Sequence, residues 1–430
     1  MSSLSFKKSE QYLQRSLKTI PLGSQTFSKS KLVYPYKVSP LFLECGKGAI
    51  VTDPDGNQYI DFVNGLLSVM LGYGDIDIDN AVKQQLNNGV TLSLPHRLEF
   101  EVAELITELV PCAEMVRFGK NGTDSTSAAV RLARAYTGKE HIIVCGYHGW
   151  QDWYIGSTTR DLGVPQAVKE LTHKFEYNNL ASLEKIFALH PDKIAAVIME
   201  PMNVDYPEND FLAKVKSLTH QHSALLIFDE TITGFRFDQG GAQKLFGVTP
   251  DLATFGKGMA NGFPISAVTG KKEIMMLMED IFYSGTFGGE TLSLAASKAT
   301  INKIKQQNVL PHIHKLGNML IDGLKDIIAA HQASDLFVVK GHPAWSFLII
   351  KSTKQITPQQ LSSFIQQEMH QHGILCSGSH NMSFAHTSAH INKLLSVYNS
   401  IIPLAKKMNE EGNFDDYFYG IVTEPVFKVR

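Results

Sequence analysis

The stretch Asp251-Leu-Ala-Thr-Phe-Gly-Lys257-Gly-Met-Ala-Asn-Gly-Phe-Pro264 holds one lysine in a turn flanked by glycines, between two apolar, strand-like runs. Just upstream, Ala224-Leu-Leu-Ile-Phe-Asp229-Glu230 is an apolar strand that delivers a carboxylate at its carboxyl end. Ligands of open parallel sheets bind at that edge. The two segments therefore predict a parallel sheet in which Lys257 and Asp229 face a ligand pocket.

The middle of the chain alternates between short apolar runs and helical patterns. The strand-like runs lie at 115–118, 141–144, 194–199, 224–228 and 265–268, and the helical segments lie at 125–136, 180–189 and 211–222. This alternation is typical of an α/β fold with a mostly parallel sheet covered on both faces by helices. We expect the large domain to occupy residues 75–310.

The flanking segments predict a second, smaller α/β lobe. Asp53-Pro-Asp-Gly56 between two strand-like runs indicates a hairpin, so residues 1–74 are expected to form an extended arm with a small sheet. Residues 311–430 are expected to complete the lobe, with a strand at 345–350 and helices at 358–370 and 388–411.

Composition limits the class of partner. Of the 430 residues, 43% are hydrophobic and 19% charged, with a net charge of −2, which provides no field for nucleic acid or an anionic membrane. The chain shows neither a signal peptide nor an apolar run of about 18 residues, so we expect a cytoplasmic protein with small-molecule partners. The cysteines are scattered and predict neither disulfides nor a metal site: Cys45, Cys112, Cys145 and Cys376.

A lysine and an acid aimed at one pocket suit pyridoxal 5'-phosphate, because the lysine can form a Schiff base and the acid can pair with the ring nitrogen. Gly122 and Thr123, between a strand and a helix, are candidate phosphate contacts. The alternative is an ordinary helix start capped by Thr123, Asp124 or Ser125. Gly-x-x-x-x-Gly-Lys-[Ser/Thr] is absent, so the segment is not a P-loop.

The segment Gly146-Tyr147-His148-Gly149-Trp150 follows the strand at 141–144 and would reach the same sheet edge. Tyr147 could stack on a flat ring there. Taken alone, Tyr147 could equally be a half-buried core aromatic, and His148 could be a histidine with ordinary hydrogen-bond partners.

The order of the motifs resembles that of the class III pyridoxal-phosphate aminotransferases, and most of all their glutamate-1-semialdehyde 2,1-aminomutase-like branch. The resemblance spans residues 21–387 and rests on the following motifs: Gly122-Thr123, Tyr147-His148-Gly149, Glu200-Pro201, Asp229-Glu230-x-x-Thr233-Gly-Phe-Arg236, Pro250-Asp251-Leu252, Gly256-Lys257-Gly258 and Gly285-Thr286. It implies the type I pyridoxal-phosphate fold of aspartate aminotransferase and a homodimer with active sites at the subunit interface.

The same resemblance implies roles for individual residues. Lys257 would be the Schiff-base lysine and proton-transferring base, and Asp229 the partner of the ring nitrogen. The other implied cofactor contacts are Gly122, Thr123 and the neighbouring subunit's Thr286 for the phosphate, Tyr147 and Thr231 for the two ring faces, Glu200 for the ring edge, Asn203 for the phenolic oxygen, and His148 within the same site.

Two departures from the aminomutase pattern bear on the reaction. Thr26 and Lys29 stand where the aminomutase has a serine and an arginine for the substrate carboxylate, and lysine cannot form arginine's two-pronged contact. The loop after Tyr147 is altered, with Trp150 as a candidate substrate contact. We therefore expect transfer of an amino group from a donor such as glutamate to another small carbonyl compound, with sugar-like and phosphorylated compounds as candidates.

The alternatives are glutamate-1-semialdehyde 2,1-aminomutase activity, or another pyridoxal-phosphate reaction such as racemisation or decarboxylation. A non-catalytic scaffold is a further alternative from a different class. It would be indicated by loss of the lysine or the acid, and both are present.

Overall fold

A computed structural model describes residues 4–351 and 353–424. Within them the chain forms two compact units, one from residues 4–75 and 311–424 and the other from residues 76–310. Residues 1–3, 352 and 425–430 of the predicted arm and lobe lie outside the described residues. The predicted division into an arm at 1–74, a large domain at 75–310 and a small lobe at 311–430 remains a prediction.

The helices of the described chain are, in order, α1 Lys7–Ser16, α2 Asn64–Leu67, α3 Ile76–Leu86, α4 Arg97–Leu109, α5 Gly122–Thr137, α6 Asp152–Ile155, α7 Gln166–Lys169, α8 Leu180–Leu189, α9 Phe211–Gln221, α10 Ala242–Phe246, α11 Lys272–Met275, α12 Thr291–Gln306, α13 Val309–Ala330, α14 Pro358–Gln371 and α15 Ser388–Glu411. Across these residues, no helix combines the length and apolar character needed to cross a membrane.

The strands are, in the same order, β1 Cys45–Lys47, β2 Ile50–Thr52, β3 Gln58–Asp61, β4 Met115–Gly119, β5 His141–Cys145, β6 Thr172–Lys174, β7 Ile194–Met199, β8 Leu225–Asp229, β9 Leu252–Phe255, β10 Ser266–Gly270, β11 Phe337–His342, β12 Trp345–Ile350, β13 Ile374–Leu375 and β14 Ser379–Asn381.

A seven-stranded sheet forms the centre of the unit at 76–310, with the strand order β4-β10-β9-β8-β7-β5-β6. Only β10 runs antiparallel to its neighbours β4 and β9 within this sheet. The predicted mostly parallel sheet is therefore confirmed. All six residues of β7 are buried, as expected for a central parallel strand covered on both faces.

Both faces of this sheet are covered by helices. On one face α5 contributes the small side chains Ala128, Ala129 and Ala133, which let the helix lie close to the strands. On the other face, residues of α8 and α9 such as Leu183 and Val215 pack against the sheet. The predicted helix-sheet-helix layering is present. Since helices cover both faces, a ligand can reach the sheet at the ends of its strands.

The other unit holds two small sheets, with orders β1-β2-β3-β13 and β11-β12-β14. The predicted hairpin is confirmed, because β2 pairs antiparallel with β3 in register Val51↔Tyr59.

The expectation of an extended arm was wrong at its start, where α1 forms. The carboxylate of Asp55, in the hairpin turn, accepts hydrogen bonds from the backbone N–H groups of Lys8 and Ser9 at 3.0 and 3.1 Å. Leu13 of this helix is buried. A helix cap supplied from about 47 residues away is invisible to local pattern reading.

Candidate active site

Three neighbouring strands of the large sheet end at the same edge, and each is followed by predicted site residues. Cys145 ends β5, Met199 ends β7 and Asp229 ends β8, and these strands lie side by side in the order β8-β7-β5. The sheet therefore brings Tyr147 and His148, Glu200 and Asn203, and Asp229 and Thr231 to one edge, in three loops.

Asp229 is buried and held by three hydrogen-bond contacts. Its Oδ2 lies 2.8 Å from Nδ1 of His148, and its Oδ1 accepts from the backbone N–H of Thr231 and the hydroxyl of Thr254, each at 3.1 Å. Burial raises the pKa of Asp229, but the bonds from His148 and Thr231 outweigh it, so the pKa lies below its ordinary value. Since an ionised carboxylate only accepts, Nδ1 of His148 carries the proton.

Lys257 opens a short 3-10 turn, Lys257–Ala260, between β9 and β10. Its φ of 41° lies in the left-handed region, which is strained for a residue with a side chain. Burial lowers the pKa of its amine below the ordinary value, more than the carboxylates of Glu200 and Asp229 raise it, and the cation of Arg236 adds to the lowering. The amine is therefore more easily neutral than a surface lysine.

Glu200 is buried beside the same loop. Its Oε2 accepts hydrogen bonds from the backbone N–H of Tyr147 at 3.1 Å and from the side-chain amide of Asn203 at 2.8 Å. Burial and the charge of Asp229 raise its pKa. Asn203, assigned to the cofactor's phenolic oxygen by resemblance, thus lies in the site with its side chain oriented by Glu200.

The amino end of α5 begins at Gly122, as the phosphate-site prediction requires. The alternative of capping by Thr123, Asp124 or Ser125 was wrong, because Asn121 is the N-cap and Asp124 completes a capping box with it. The Asp124 carboxylate accepts from the backbone N–H groups of Lys120 and Asn121 at 3.0 and 2.7 Å. The hydroxyl of Thr123 is left for another partner.

Close packing around this helix end depends on two glycines. A Cβ on Gly122 would lie 3.0 Å from Cγ2 of Thr231, and a Cβ on Gly149 would collide with the side chain of Thr123. The φ of 110° at Gly149 also favours glycine. The loops after β5 and β8 are thereby held tightly against the first turn of α5.

Three buried polar atoms at this edge have no hydrogen-bond partner within the described chain: Oγ1 of Thr123, Oγ1 of Thr231 and Nε2 of His148. An unpaired buried polar atom normally costs free energy, so such a cluster indicates a missing polar ligand. Pyridoxal phosphate fits this set, since its phosphate can accept from the hydroxyl of Thr123 and the amino end of α5. Oδ2 of Asp229 keeps a lone pair for the ring nitrogen.

The aromatic residues after β5 differ in position. Tyr147 is 49% exposed and Trp150 is 67% exposed, so both can meet a ligand at the surface of the site. Trp153 and Tyr154, in α6, are buried, and the Tyr154 hydroxyl donates to the backbone carbonyl of Gly146 at 2.8 Å. These two rings belong to the core rather than to a mobile gate.

Thr286 lies in the segment between β10 and α12. It is exposed and, with Lys120, Arg131 and Tyr283 among others, lines a cavity of about 310 Å³. The resemblance assigns this threonine to the neighbouring subunit's phosphate site, and its exposure leaves the side chain accessible to another chain.

Thr26 and Lys29 belong to the other unit. Lys29 is exposed at the end of the 3-10 turn Phe27–Lys29, and Thr26 is half-buried just before it. Lys29 borders a cavity of about 260 Å³, with Asp61 and Tyr73 among its lining residues. Their proposed contact with substrate remains a prediction.

Sequence analysis missed Thr254 and gave Arg236 no role. Thr254 lies on β9 directly opposite Asp229 of β8, and only this register brings its hydroxyl to the carboxylate. Arg236 is fully buried, and burial lowers its pKa to about 10. The Gly-Phe-Arg motif was the signal for Arg236, but sequence alone did not show that its charge acts on Lys257.

The fold and the site together define a type I pyridoxal-phosphate enzyme. The aminotransferase class-III family model matches residues 33–395, and the chain belongs to this family.

Three relatives illustrate its range. A 3-aminobutyryl-CoA aminotransferase from Cloacimonas acidaminovorans is 34% identical over 86% of this chain and 90% of its own. A glutamate-1-semialdehyde 2,1-aminomutase from Persephonella marina is 39% identical over 67% and 72%.

The third is the FumI protein of Sphingopyxis sp. MTA144, solved with pyridoxal phosphate bound. It is 26% identical, with a TM-score of 0.86 over 94% of this chain and 97% of that one. The chain is therefore an enzyme that uses pyridoxal 5'-phosphate and acts on small-molecule amino and carbonyl substrates.

Proposed function

We propose that this enzyme is an aminotransferase that moves an amino group from a small-molecule donor, glutamate being the first candidate, to a small carbonyl acceptor. The observation that carries the proposal is Lys257, whose amine has a lowered pKa, beside the buried Asp229–His148 pair. A non-catalytic scaffold would have no need for this costly arrangement of buried charge.

Bound pyridoxal phosphate supplies a carbonyl that condenses with amines and a protonated ring that accepts electrons from the substrate Cα. Asp229 holds the proton on the ring nitrogen, because its own pKa is low. His148 keeps Asp229 oriented through Nδ1, and Thr254 does so from the adjoining strand. Thr123 and Gly122, at the amino end of α5, bind the phosphate.

Lys257 transfers the proton. Its amine is neutral at a lower pH than that of an ordinary lysine, so it can attack a carbonyl and later take the proton from the substrate Cα. Tyr147 would cover one face of the ring, and Thr231 the other. Glu200 would support the ring edge, and Asn203, whose side-chain amide donates to Glu200 at 2.8 Å, would contact the phenolic oxygen.

Aminotransfer is favoured over isomerisation by the N-terminal arm. Lys29 offers one point charge where the aminomutase pattern has an arginine for the substrate carboxylate. The aminotransferase relative also aligns with more of this chain, 86%, than the aminomutase relative does, 67%. The name of the former makes coenzyme A-linked carbonyl compounds one acceptor class worth including among the candidates.

A direct comparison of two reactions tests the proposal. The purified enzyme, supplied with pyridoxamine phosphate, receives glutamate 1-semialdehyde without an amino donor, and 5-aminolevulinate is measured. In parallel, the pyridoxal-phosphate form receives glutamate, and we expect about one equivalent of 2-oxoglutarate per site, rising to many turnovers when an acceptor is added.

Lys257→Ala is the control and should be silent in both assays. Sustained production of 5-aminolevulinate by the parent enzyme without added donor would establish the aminomutase instead. If glutamate yields no 2-oxoglutarate, the same half-reaction is run with a panel of other amines. Failure of every amine would overturn aminotransfer.

We also propose that the enzyme is a cytoplasmic homodimer. Its four cysteines are unpaired, as is common in reducing compartments. The unit at 76–310 exposes the large apolar side chains of Leu94, Phe100, Phe282 and Phe287. Exposed apolar groups of this size favour an interface with another chain.

A further inference from the structure

Three histidines from distant parts of the sequence meet at the other edge of the large sheet. His141 is the first residue of β5, His173 lies in β6, and His190 caps the carboxyl end of α8 just before β7. Nδ1 of His141 lies 2.8 Å from Nε2 of His173, and the rings of His173 and His190 stack with their centroids 4.0 Å apart.

This edge is remote from the cofactor site in the topology. β5 carries His141 at its amino end and leads to Tyr147 and His148 from its carboxyl end. Five residues of extended strand span roughly 16 Å. A ligand held by the histidines therefore would not touch Lys257 or Asp229.

We propose that His141, His173 and His190 form a binding site for a divalent transition-metal ion, with Zn²⁺ as the principal candidate. One nitrogen from each ring lies within 4.8 Å of one from each of the others, and no other such group of three metal-ligating side chains occurs among the described residues. Tetrahedral zinc with Zn–N bonds of about 2.05 Å needs about 3.3 Å between ligand atoms. Coordination therefore requires the half-buried rings to rotate until their nitrogens reach this spacing.

The surrounding charge is mixed, and affinity must come from coordination. The charged side chains that act on His141 are those of Lys193, Arg134 and Glu140. Imidazole is a ligand preferred by Zn²⁺, Cu²⁺ and Ni²⁺, and three imidazoles leave a fourth position for water. The bound ion would tie the three-residue edge strand β6 to β5 and to the turn that leads into β7.

The sequence does not reveal this site, because the three histidines lack the short spacing of a local metal-binding motif. Only the parallel pairing of β5 with β6, in register Ile143↔His173, together with the position of His190 before β7, brings them together.

The test uses tag-free, pyridoxal-phosphate-loaded enzyme stripped of metal by a chelator, in a Cys45→Ser background that removes the exposed thiol. Zn²⁺ affinity and stoichiometry are measured by competition with a chromophoric chelator, and Co²⁺ geometry by visible absorption. We expect one ion per chain and a melting temperature that rises with Zn²⁺ concentration.

His173→Asn and His190→Asn should each weaken Zn²⁺ binding by at least about tenfold and abolish the melting shift, since even outer partners of metal ligands are worth about 10–100-fold. His331→Asn is the matched control and should bind like the parent, since the His331 ring lies outside the cluster and bonds the exposed Asn399 side chain at 2.9 Å.

Unchanged aminotransferase activity and cofactor absorption would show that the variants are folded. If His173→Asn does not fold, His190→Asn decides, because His190 lies outside the strands. Absence of stoichiometric binding in the parent, or equal binding in His190→Asn and the parent, would overturn the proposal.

Discussion

Asp229 is the residue on which the chemistry of the site most depends. It is buried, which raises its pKa, yet the hydrogen bonds from His148 and Thr231 lower the pKa below its ordinary value. Thr254 adds a further hydrogen bond to the carboxylate. Sequence reasoning could place Asp229 at a strand end and pair it with Lys257. It could not find Thr254, because the face reached by a strand hydroxyl depends on the pairing register.

Asp229→Asn should leave the enzyme folded and cofactor-bound but reduce turnover by about a hundredfold, since a neutral amide cannot hold the proton on the ring nitrogen. Steady-state kinetics and the cofactor absorption spectrum across pH measure this effect. Asp251→Asn is the matched control, as Asp251 is equally buried but precedes β9 at the opposite edge of the sheet.

The control should lose stability, because Asp251 accepts hydrogen bonds from Leu226 and Lys271 at 2.8 and 2.7 Å, while keeping its turnover. Near-normal turnover in folded Asp229→Asn would assign Asp229 to a structural role only.

At the scale of elements, apolar periodicity was sufficient to find most of the large unit. The helices at 180–189 and 388–411 and the strand at 345–350 match the predicted bounds, and the other predicted helices differ by a few residues at their ends. The strand β6 was missed because three residues carry too little pattern. The helix α1 was missed because its cap comes from Asp55.

The contact between α5 and the loop after β5 gives an element-scale prediction. Thr126 of α5 donates to the backbone carbonyl of His148 at 2.8 Å, and Gly149 faces Thr123 without room for a Cβ. Gly149→Ala should push this loop from the helix, displace Thr123 and His148, and weaken pyridoxal-phosphate binding by at least about tenfold. Equilibrium dialysis measures this affinity.

Gly138→Ala provides the control from the same helix. Gly138 ends α5 with a φ of 67°, but a Cβ there would meet nothing within 4 Å. Both substitutions impose strain of about 1 kcal/mol at positive φ. Only Gly149→Ala should change cofactor affinity. Equal pyridoxal-phosphate affinity in the two variants would show that this loop contact does not support the cofactor site.

The whole molecule contains histidines that titrate only on unfolding. Burial lowers the pKa of His380 to about 4 and that of His386 to about 3. The unfolded chain binds protons near pH 6.5, and the folded chain does not, so stability must fall as pH decreases from about 6.5 toward 4. Composition alone could not show this, because it does not say which histidines are buried.

We expect the parent enzyme to lose about 2 kcal/mol per buried histidine between pH 7 and pH 5. His380→Gln should be less stable at pH 7, since the 2.7 Å hydrogen bond between Nε2 of His380 and the Tyr398 hydroxyl is lost, but its stability should depend less on pH. Urea unfolding followed by circular dichroism at several pH values measures both quantities.

His331→Gln, at an exposed hydrogen bond, is the control and should keep the parent's pH dependence. A pH dependence in His380→Gln as steep as that of the parent would contradict the assignment of acid sensitivity to this residue.

Formation of a homodimer is a prediction at the scale of the whole molecule, and Thr286 provides a test of it. Thr286 is exposed, in the same unit as the exposed side chains of Phe282 and Phe287. If Thr286 completes the partner's phosphate site, a Thr286→Ala chain mixed with a Lys257→Ala chain should form heterodimers with one intact site. Their activity should be about half that of the parent dimer, measured at limiting cofactor, where a lost phosphate contact has most effect.

Two different affinity tags allow the heterodimer to be isolated, and sedimentation verifies its mass. Each variant alone should be weak, because one lacks the phosphate contact and the other the reacting amine. If the heterodimer is no more active than either variant alone, Thr286 acts within its own chain or not at all. A monomeric parent enzyme would contradict the proposed homodimer.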